Sequence, residues 1–242
     1  MADIRLQARN LSRSFNDTIG VAEVDLEVAA GGVHALVGLN GAGKTTLLRL
    51  LLGMLRPDEG TVQLDGCHLQ DVDVAMWKRV GHLVEQPLVY PELDTRTNLI
   101  VSARLHEVRP VEVHGVVNAA LDQLDIAKYA GVRARALSAG NRWRLGLAAA
   151  LVHTPDLIVL DEPTNALDPA GIIMLRKDLV RRAHNGTAVL VSSHHLDEVA
   201  RIADQITVLN EGRVIGALDP GGVDIERAFF RLVHADHESR ER

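Results

Sequence analysis

The sequence predicts an α/β fold in which helices cover a parallel sheet, with an antiparallel β region first and a helical insert in the middle. Three observations predict it. Residues near the N terminus alternate apolar and polar side chains at the two-residue period of half-buried strands. Residues from about 87 to 150 then carry the helical period. Finally, short apolar runs at 157–160 and 188–191 alternate with helix-forming stretches, which is typical of parallel strands buried on both faces.

The first part of the chain predicts strands and a helix that follows a glycine-rich turn. Residues 4–8 and 24–28 predict two antiparallel strands joined by a loop around residues 16–20. The apolar run 33–37 predicts a buried strand, and the leucine-rich stretch 45–52 predicts a helix. Further elements are expected in this order: a strand at 61–64, a short helical piece near 74–79 and a strand at 80–84.

The second part predicts alternating helices and strands. Within the insert, helical spacing over 113–124 and the run 145–151 predict two helices. After the strand at 157–160, the expected elements are a helix near 170–183, a strand at 188–191, a helix near 196–203 and a hairpin of 206–209 with 213–217. From about His234 the chain is polar, and we expect a frayed end.

The composition fits a folded globular domain and excludes several function classes. The chain has 242 residues, 47% hydrophobic and 24% charged, which is enough to bury a sizeable core. Its formal charge of −6 provides no global cationic field, so we expect no nucleic-acid partner. The single cysteine, Cys67, excludes an internal disulfide and fits a cytosolic protein. No apolar run approaches the roughly 18 residues of a membrane-spanning helix.

A phosphate-binding motif lies where the predicted strand 33–37 meets the predicted helix. Gly38-Leu-Asn-Gly-Ala-Gly-Lys-Thr45 matches the pattern G-x-x-x-x-G-K-[ST]. The glycines let backbone N–H groups converge on a phosphate, and the helix N terminus adds partial positive charge. Lys44 is predicted to reach the β- and γ-phosphates of a nucleotide, and the Thr45 hydroxyl to ligate Mg²⁺. The residues expected around the phosphates are Gly38, Asn40, Gly41, Gly43, Lys44, Thr45 and Thr46.

Two carboxylates follow the buried apolar run at 157–160. Asp161 is predicted to orient Mg²⁺ through its water shell. Glu162, one residue further, is predicted to polarise the attacking water as a general base. An Asp-Glu pair after a strand is by itself typical of a solvated turn. Its combination with Lys44 favours a phosphate-hydrolysing site.

Together with a third motif, these residues resemble the ATP-binding cassette (ABC) nucleotide-binding domain. Leu137-Ser-Ala-Gly-Asn141, about 20 residues before Asp161, is similar to the signature loop of that family. The resemblance extends over about residues 4–217 and implies a P-loop NTPase core of the RecA-like type. It implies one domain over 1–242, divided into a core with its β subdomain (1–87 and 151–220), a helical subdomain (88–150) and a short C-terminal tail (221–242).

The resemblance also implies roles for residues outside these motifs. Gln86 is similar to the family's Q-loop glutamine, which would touch the metal shell and relay motions of the insert. His194 is similar to the switch histidine and would hold the attacking water at the γ-phosphate. Asp168, which ends Asn-Ala-Leu-Asp, is similar to the D-loop aspartate. Phe15 either stacks on adenine, where the family places an aromatic residue, or is ordinary core beneath a strand end.

The signature loop implies a dimer. In the family, Ser138 and Gly140 would offer a hydroxyl and a backbone N–H to the γ-phosphate held by the other subunit. Two chains, identical or not, would therefore enclose two ATP molecules, and hydrolysis would open the pair. The loop departs from the common L-S-G-G-Q form, because Ala139 replaces a glycine and Asn141 replaces the glutamine. We still expect hydrolysis.

The overall pattern resembles most the ATPase subunits that work with separate exporter permeases for drugs, antibiotic peptides or lipids. This implies a Mg²⁺-dependent ATPase that is peripheral on the cytoplasmic face of the cell membrane, bound to an integral-membrane permease that selects the cargo. An importer ATPase and a non-transport ABC ATPase are the alternatives. The apolar segment 88–93 is expected either to line a groove for a permease helix or to pack beneath the insert.

Overall fold

Strands and helices alternate along the chain in the computed structural model, which describes residues 3–15 and 18–240. The strands are β1 (Ile4–Phe15), β2 (Thr18–Ala29), β3 (Val33–Val37), β4 (Glu59–Leu64), β5 (Cys67–His68), β6 (Val80–Leu83), β7 (Leu157–Asp161), β8 (Ala188–Ser193), β9 (Gln205–Asn210) and β10 (Arg213–Leu218). The helices are α1 (Lys44–Leu51), α2 (Val74–Trp77), α3 (Thr95–Leu105), α4 (Pro110–Gln123), α5 (Ala139–Leu151), α6 (Pro169–His184), α7 (Leu196–Val199) and α8 (Ile225–Arg240). Residues 16 and 17 of the predicted loop lie outside the described residues.

The strands form two sheets, as the sequence predicts. The antiparallel sheet has the order β2-β1-β4-β5. The larger sheet has the order β10-β9-β3-β8-β7-β6, in which neighbouring strands run parallel except that β10 pairs antiparallel with β9. The carboxyl ends of β3, β8 and β7 therefore meet at one edge of the sheet.

The buried parallel strands supply both of the protein's apolar cores. Every residue of β3 and β7 is buried, so these strands lack the apolar-polar alternation of a half-exposed strand. Their side chains nevertheless alternate between faces. In β7, Leu157 and Val159 join the core beneath the antiparallel sheet and α1, whereas Ile158 and Leu160 join the core beneath α3 to α6 and α8. Helical and β layers thus cover the two faces of one sheet.

The helical region predicted in the middle of the chain contains α3, α4 and α5. Its helices begin with conventional caps: the Asp94 carboxylate accepts from the Thr97 amide at 2.7 Å, and Pro110 occupies the first turn of α4. Apolar residues of all three helices are buried in the same core as Ile158 and Leu160 of β7. Among the described residues, no helix is both long and apolar enough to cross a membrane.

The C-terminal end differs from the expectation. We expected fraying from about His234, but α8 runs to Arg240. Phe229 and Val233, four residues apart on one face of this helix, are buried. The Asp236 carboxylate accepts from the Asn210 side-chain amide at 2.7 Å and ties the helix to β9. The predicted helix near 196–203 is also shorter than expected, since α7 ends at Val199.

Candidate active site

The glycine-rich turn connects β3 to α1 and has a backbone that requires glycine. Gly41 and Gly43 have φ values of +83° and +99°, in the region that residues with a Cβ rarely adopt. A Cβ on Gly43 would lie only 2.5 Å from the carbonyl oxygen of Gly20. Gly43 is also the N-cap of α1, so the free N–H groups of the first helical turn face the turn. Asn40 and Gly41 are exposed at its tip, and Thr45 and Thr46 are half-buried.

The Lys44 ammonium lies inside this turn. Its Nζ donates to the carbonyl oxygen of Gly38 at 2.8 Å and lies 3.2 Å from Oε1 of Glu162. The Lys44 side chain is only 7% exposed, so the carboxylate of Glu162 provides the negative charge that a buried ammonium requires. The phosphate-binding motif and the carboxylate after β7, 118 positions apart in the chain, therefore meet in an ion pair.

Asp161 is fixed by two hydroxyl groups. Thr45 Oγ1 donates to one carboxylate oxygen at 2.6 Å, and Ser192 Oγ donates to the other at 2.5 Å. Ser192 lies opposite Asp161 in the parallel pairing of β7 and β8. Its Oγ also accepts from the Glu162 amide at 2.9 Å. One serine thus orients both carboxylate residues.

Glu162 links the phosphate-binding turn to the end of β8. Its backbone has a φ of +45°, an unusual value for a residue with a side chain, and the bond from its amide to Ser192 helps to hold it. Its Oε2 lies 2.9 Å from Nδ1 of His194, and the His194 amide donates to the same oxygen at 3.3 Å. Lys44, Glu162 and His194 therefore form a continuous charged and hydrogen-bonded row.

The oxygen donors in this cluster fit Mg²⁺. The Thr45 hydroxyl and the Asp161 carboxylate, already in contact, are the hard oxygen ligands that Mg²⁺ prefers. These two residues would hold the ion, and it would neutralise phosphate charge when bound. Gln86 is exposed just beyond β6, and within the described part of the chain its side chain makes no hydrogen bond to this cluster.

Phe15 lies at the end of β1 beside the phosphate-binding turn. Its ring is 41% exposed and packs so closely on Gly20 that a Cβ there would be 2.7 Å from a ring carbon. Gly20 in turn contacts Gly43. The Arg13 guanidinium lies 5.3 Å from the ring centroid. An exposed aromatic face at this place favours the stacking alternative over the core alternative.

The signature loop lies at the start of α5, apart from the phosphate-binding turn. Ser138 is the exposed N-cap of α5, and its Oγ accepts from the Asn141 amide at 3.3 Å. A Cβ on Gly140 would be 3.0 Å from the Ala166 carbonyl oxygen, so the loop lies against the Asp168 segment. In the described ranges, no hydrogen bond or ion pair joins Ser138 or Gly140 to residues 38–46.

Asp168 is held within its own chain by α5. Its carboxylate caps α6 by accepting from the Gly171 amide at 2.9 Å, and it also binds the buried guanidinium of Arg144. The Gly171 amide, with a further contribution from Arg144, lowers the pKa of Asp168 below its usual value. Trp143 Nε1 donates to the Pro163 carbonyl oxygen at 2.9 Å. The signature helix is therefore tied to the segment that follows β7.

Sequence reasoning did not identify Ser192 and Arg144. Ser192 directly follows the apolar run 188–191, and its importance depends on the register between β7 and β8. Arg144 is a charged residue among the helix-forming residues of α5, and its buried guanidinium needs the Asp168 partner. The local sequence offered no clear signal, because Arg142 lies two residues before it and Arg144 is not the one charged residue of the helix start.

Comparisons with known proteins identify the family of this chain. The sequence profile described as "ABC transporter" matches residues 21–165. The chain is 37% identical over 211 residues to the bacitracin transport ATP-binding protein BcrA of Enterococcus faecalis, covering 87% of this chain and 68% of that protein. It is 35% identical over 207 residues to a Nod factor export ATP-binding protein I of Burkholderia lata, covering 86% and 68%.

An import relative and a solved structure also match. The chain is 31% identical over 243 residues to the ribose import ATP-binding protein RbsA 2 of Burkholderia cenocepacia, covering 98% of this chain and 48% of that protein. A solved ATP-binding subunit of an ABC transporter superposes with a TM-score of 0.84 at 26% identity, covering 94% of each chain. The chain belongs to the ABC transporter family of ATP-binding proteins.

We predict that Ser192→Ala lowers the free energy of unfolding by about 1 to 3 kcal/mol, because it leaves a buried carboxylate oxygen and a partly buried amide without this partner. Urea unfolding measures the change. Ser239→Ala, at an exposed position of α8, is the matched control and should change stability by less than about 0.5 kcal/mol. Equal small effects in the two variants would contradict the bridging role of Ser192.

Proposed function

We propose that this chain is the ATP-hydrolysing subunit of an ABC transporter. The observation that carries the proposal is the contact network of Lys44, Thr45, Asp161, Glu162 and His194. This network joins the carboxyl ends of β3, β7 and β8, which are the places where the sequence motifs lie. The network combines a cation for phosphate, oxygen ligands for a metal and a carboxylate with a histidine beside it. This is the chemistry that phosphoryl transfer to water requires.

In this proposal the residues act as follows. The backbone N–H groups of the glycine-rich turn and Lys44 bind the phosphates, which compete with Glu162 for the ammonium. Glu162 then accepts a proton from the attacking water, and His194 orients this water and the γ-phosphate. Phe15 stacks on the base. Gln86, exposed between β6 and the insert, touches the metal shell and relays motions of the helical region.

The same proposal requires two chains. Ser138 and Gly140 lie at an exposed helix start and are tied to the Asp168 segment, and the chain does not join them to its own Lys44. An exposed hydroxyl and N–H at a helix N terminus are suitable donors for a phosphate. We infer that they bind the γ-phosphate held by a second ATPase subunit, so that two ATP molecules lie between two subunits.

We predict that Glu162→Gln lowers ATP hydrolysis by about 10²-fold or more, since it removes the general base. At saturating ATP and Mg²⁺ this variant should elute as a dimer from a sizing column. Adding Ser138→Arg should restore the monomer, because a large charged side chain obstructs the seam. Adding Ser239→Arg on the exposed side of α8 is the control and should leave the dimer intact. A dimer that survives Ser138→Arg would contradict the proposed seam, and a monomeric Glu162→Gln would show that this chain alone does not form it.

We further propose that a permease helix docks in the groove between β6, α3 and α5. The groove has a volume of about 380 Å³. Leu88, Tyr90 and Leu105 line it and are 78%, 53% and 62% exposed. The backbone of Tyr90 is fixed on both sides by the buried Asn98 side chain, at 2.7 Å and 3.1 Å. An apolar segment held rigidly at the surface is typical of an interaction site and supports docking over packing beneath the insert.

Two buried histidines of this groove carry no charge at neutral pH. His106 and His153 stack with ring centroids 3.6 Å apart, and His82 also lines the groove. Burial, reinforced by His106, lowers the pKa of His153 to about 3, and burial lowers the pKa of His82 as well. His153 and His82 are therefore neutral at pH 7. A largely apolar groove fits an apolar helix face.

We predict that Tyr90→Asp abolishes the association of the chain with membrane vesicles from its source organism, while ATP hydrolysis in the absence of membranes persists. A carboxylate in an apolar groove must be desolvated when the helix docks. Val111→Asp makes the same kind of change at an apolar residue of α4 that is 88% exposed and lies outside the groove. Co-sedimentation should distinguish the two variants. Unchanged sedimentation of Tyr90→Asp would contradict docking in this groove.

The direction of transport is proposed to be export. The export relative is 35% identical and the chain covers 68% of its length, whereas the ribose import relative is 31% identical and 48% covered. In this proposal the permease selects the cargo. The chain binds the permease and acts at the cytoplasmic face of the membrane. Import is the alternative, and uptake by inside-out vesicles that contain the permease, with ATP added outside, would support export.

A further inference from the structure

A second groove lies between α6 and the region of α7. It has a volume of about 570 Å³ and shares no lining residue with the permease groove or the phosphate-binding turn. We call it the α6–α7 groove and define it by six of its lining residues: Ile173, Lys177, Val180, His184, Arg201 and Ile202. Nothing in the proposed ATPase chemistry uses these residues.

The floor of the α6–α7 groove is apolar. Ile173 and Val180 are seven residues apart on α6 and therefore lie on the same face of the helix. Ile202, just after α7, provides the apolar residue on the other side. Ile173 is 51% exposed, although β-branched apolar residues are usually buried. The spacing of Ile173 and Val180 matches the interval at which the apolar residues of a docked helix recur.

The rim of the groove is cationic. Arg176, Lys177, Arg181 and Arg201 surround the apolar floor together with His184. Arg176 lies 3.8 Å from Glu198, and Arg181 is paired with Asp178. Over the described residues, neither Lys177 nor Arg201 has a carboxylate within 4 Å. This local positive charge contrasts with the formal charge of −6 for the whole chain.

An apolar floor with two unpaired cations at its rim, Lys177 and Arg201, is complementary to a helix that has one apolar face flanked by carboxylates. We propose that the α6–α7 groove binds an acidic amphipathic helix of a partner protein. The carboxylates of this helix would pair with Lys177 and Arg201, and its apolar side chains would cover Ile173 and Val180.

Fluorescence anisotropy with a synthetic peptide tests the proposal. The labelled peptide carries leucines at helical positions i, i+3, i+4 and i+7 and glutamates on both flanks of that face. It should bind the full chain, and binding should weaken as salt is raised. The double variant Lys177→Glu with Arg201→Glu should bind about tenfold more weakly or worse, because like charges then face each other. A peptide with lysine in place of each glutamate should not bind.

The control is a double charge reversal elsewhere. Arg56→Glu with Arg104→Glu makes the same change in net charge at two exposed residues outside the groove and should leave the affinity unchanged. Circular dichroism confirms that each variant is folded. The proposal is overturned if the acidic peptide fails to bind or if both double variants bind it equally. It is also overturned if the Lys177/Arg201 pair is required instead for binding phosphatidylglycerol vesicles or for self-association of the free chain.

Discussion

The site depends on one constraint, the meeting of three parallel strand ends at the same edge of a sheet. β3, β8 and β7 are neighbours, and their register places Ser192 opposite Asp161. This arrangement brings Lys44 to Glu162 and Thr45 to Asp161, although the motifs are more than 100 residues apart in the chain. A buried ammonium is stable only beside a counter-charge, so the ion pair and the sheet order support each other.

Much of the fold could be predicted from local patterns. The runs 157–160 of β7 and 188–191 of β8 are apolar throughout, and the run 33–37 of β3 has His34 as its one polar residue; each run leads into residues of the site. Helix α8 was missed because its sequence is mostly polar. Its two buried residues, Phe229 and Val233, find their partners only in the folded core. Local composition therefore did not reveal the long-range packing that stabilises this helix.

The sequence allowed us to predict which residues form the candidate site, but not the contacts that distant residues of the site make with each other. The spacing of Gly38 to Thr45 indicates a phosphate-binding turn, because that turn is a local structure. The role of Ser192 depends on the order and register of two strands, and the place of Phe15 depends on Gly20 and Gly43 meeting across the fold. Arg144 likewise acquires its partner, Asp168, only through the packing of α5 near α6. These contacts are not encoded in any single stretch.

The central claim is that one triphosphate is held by Lys44 of one subunit and Ser138 of another. The most direct measurement is a crystal structure of the chain with Mg²⁺ and a non-hydrolysable ATP analogue. Each γ-phosphate should lie at Lys44 of one protomer and within hydrogen-bond distance of the partner's Ser138. A structure in which each copy encloses its own nucleotide, with no signature serine from a second copy nearby, would contradict it.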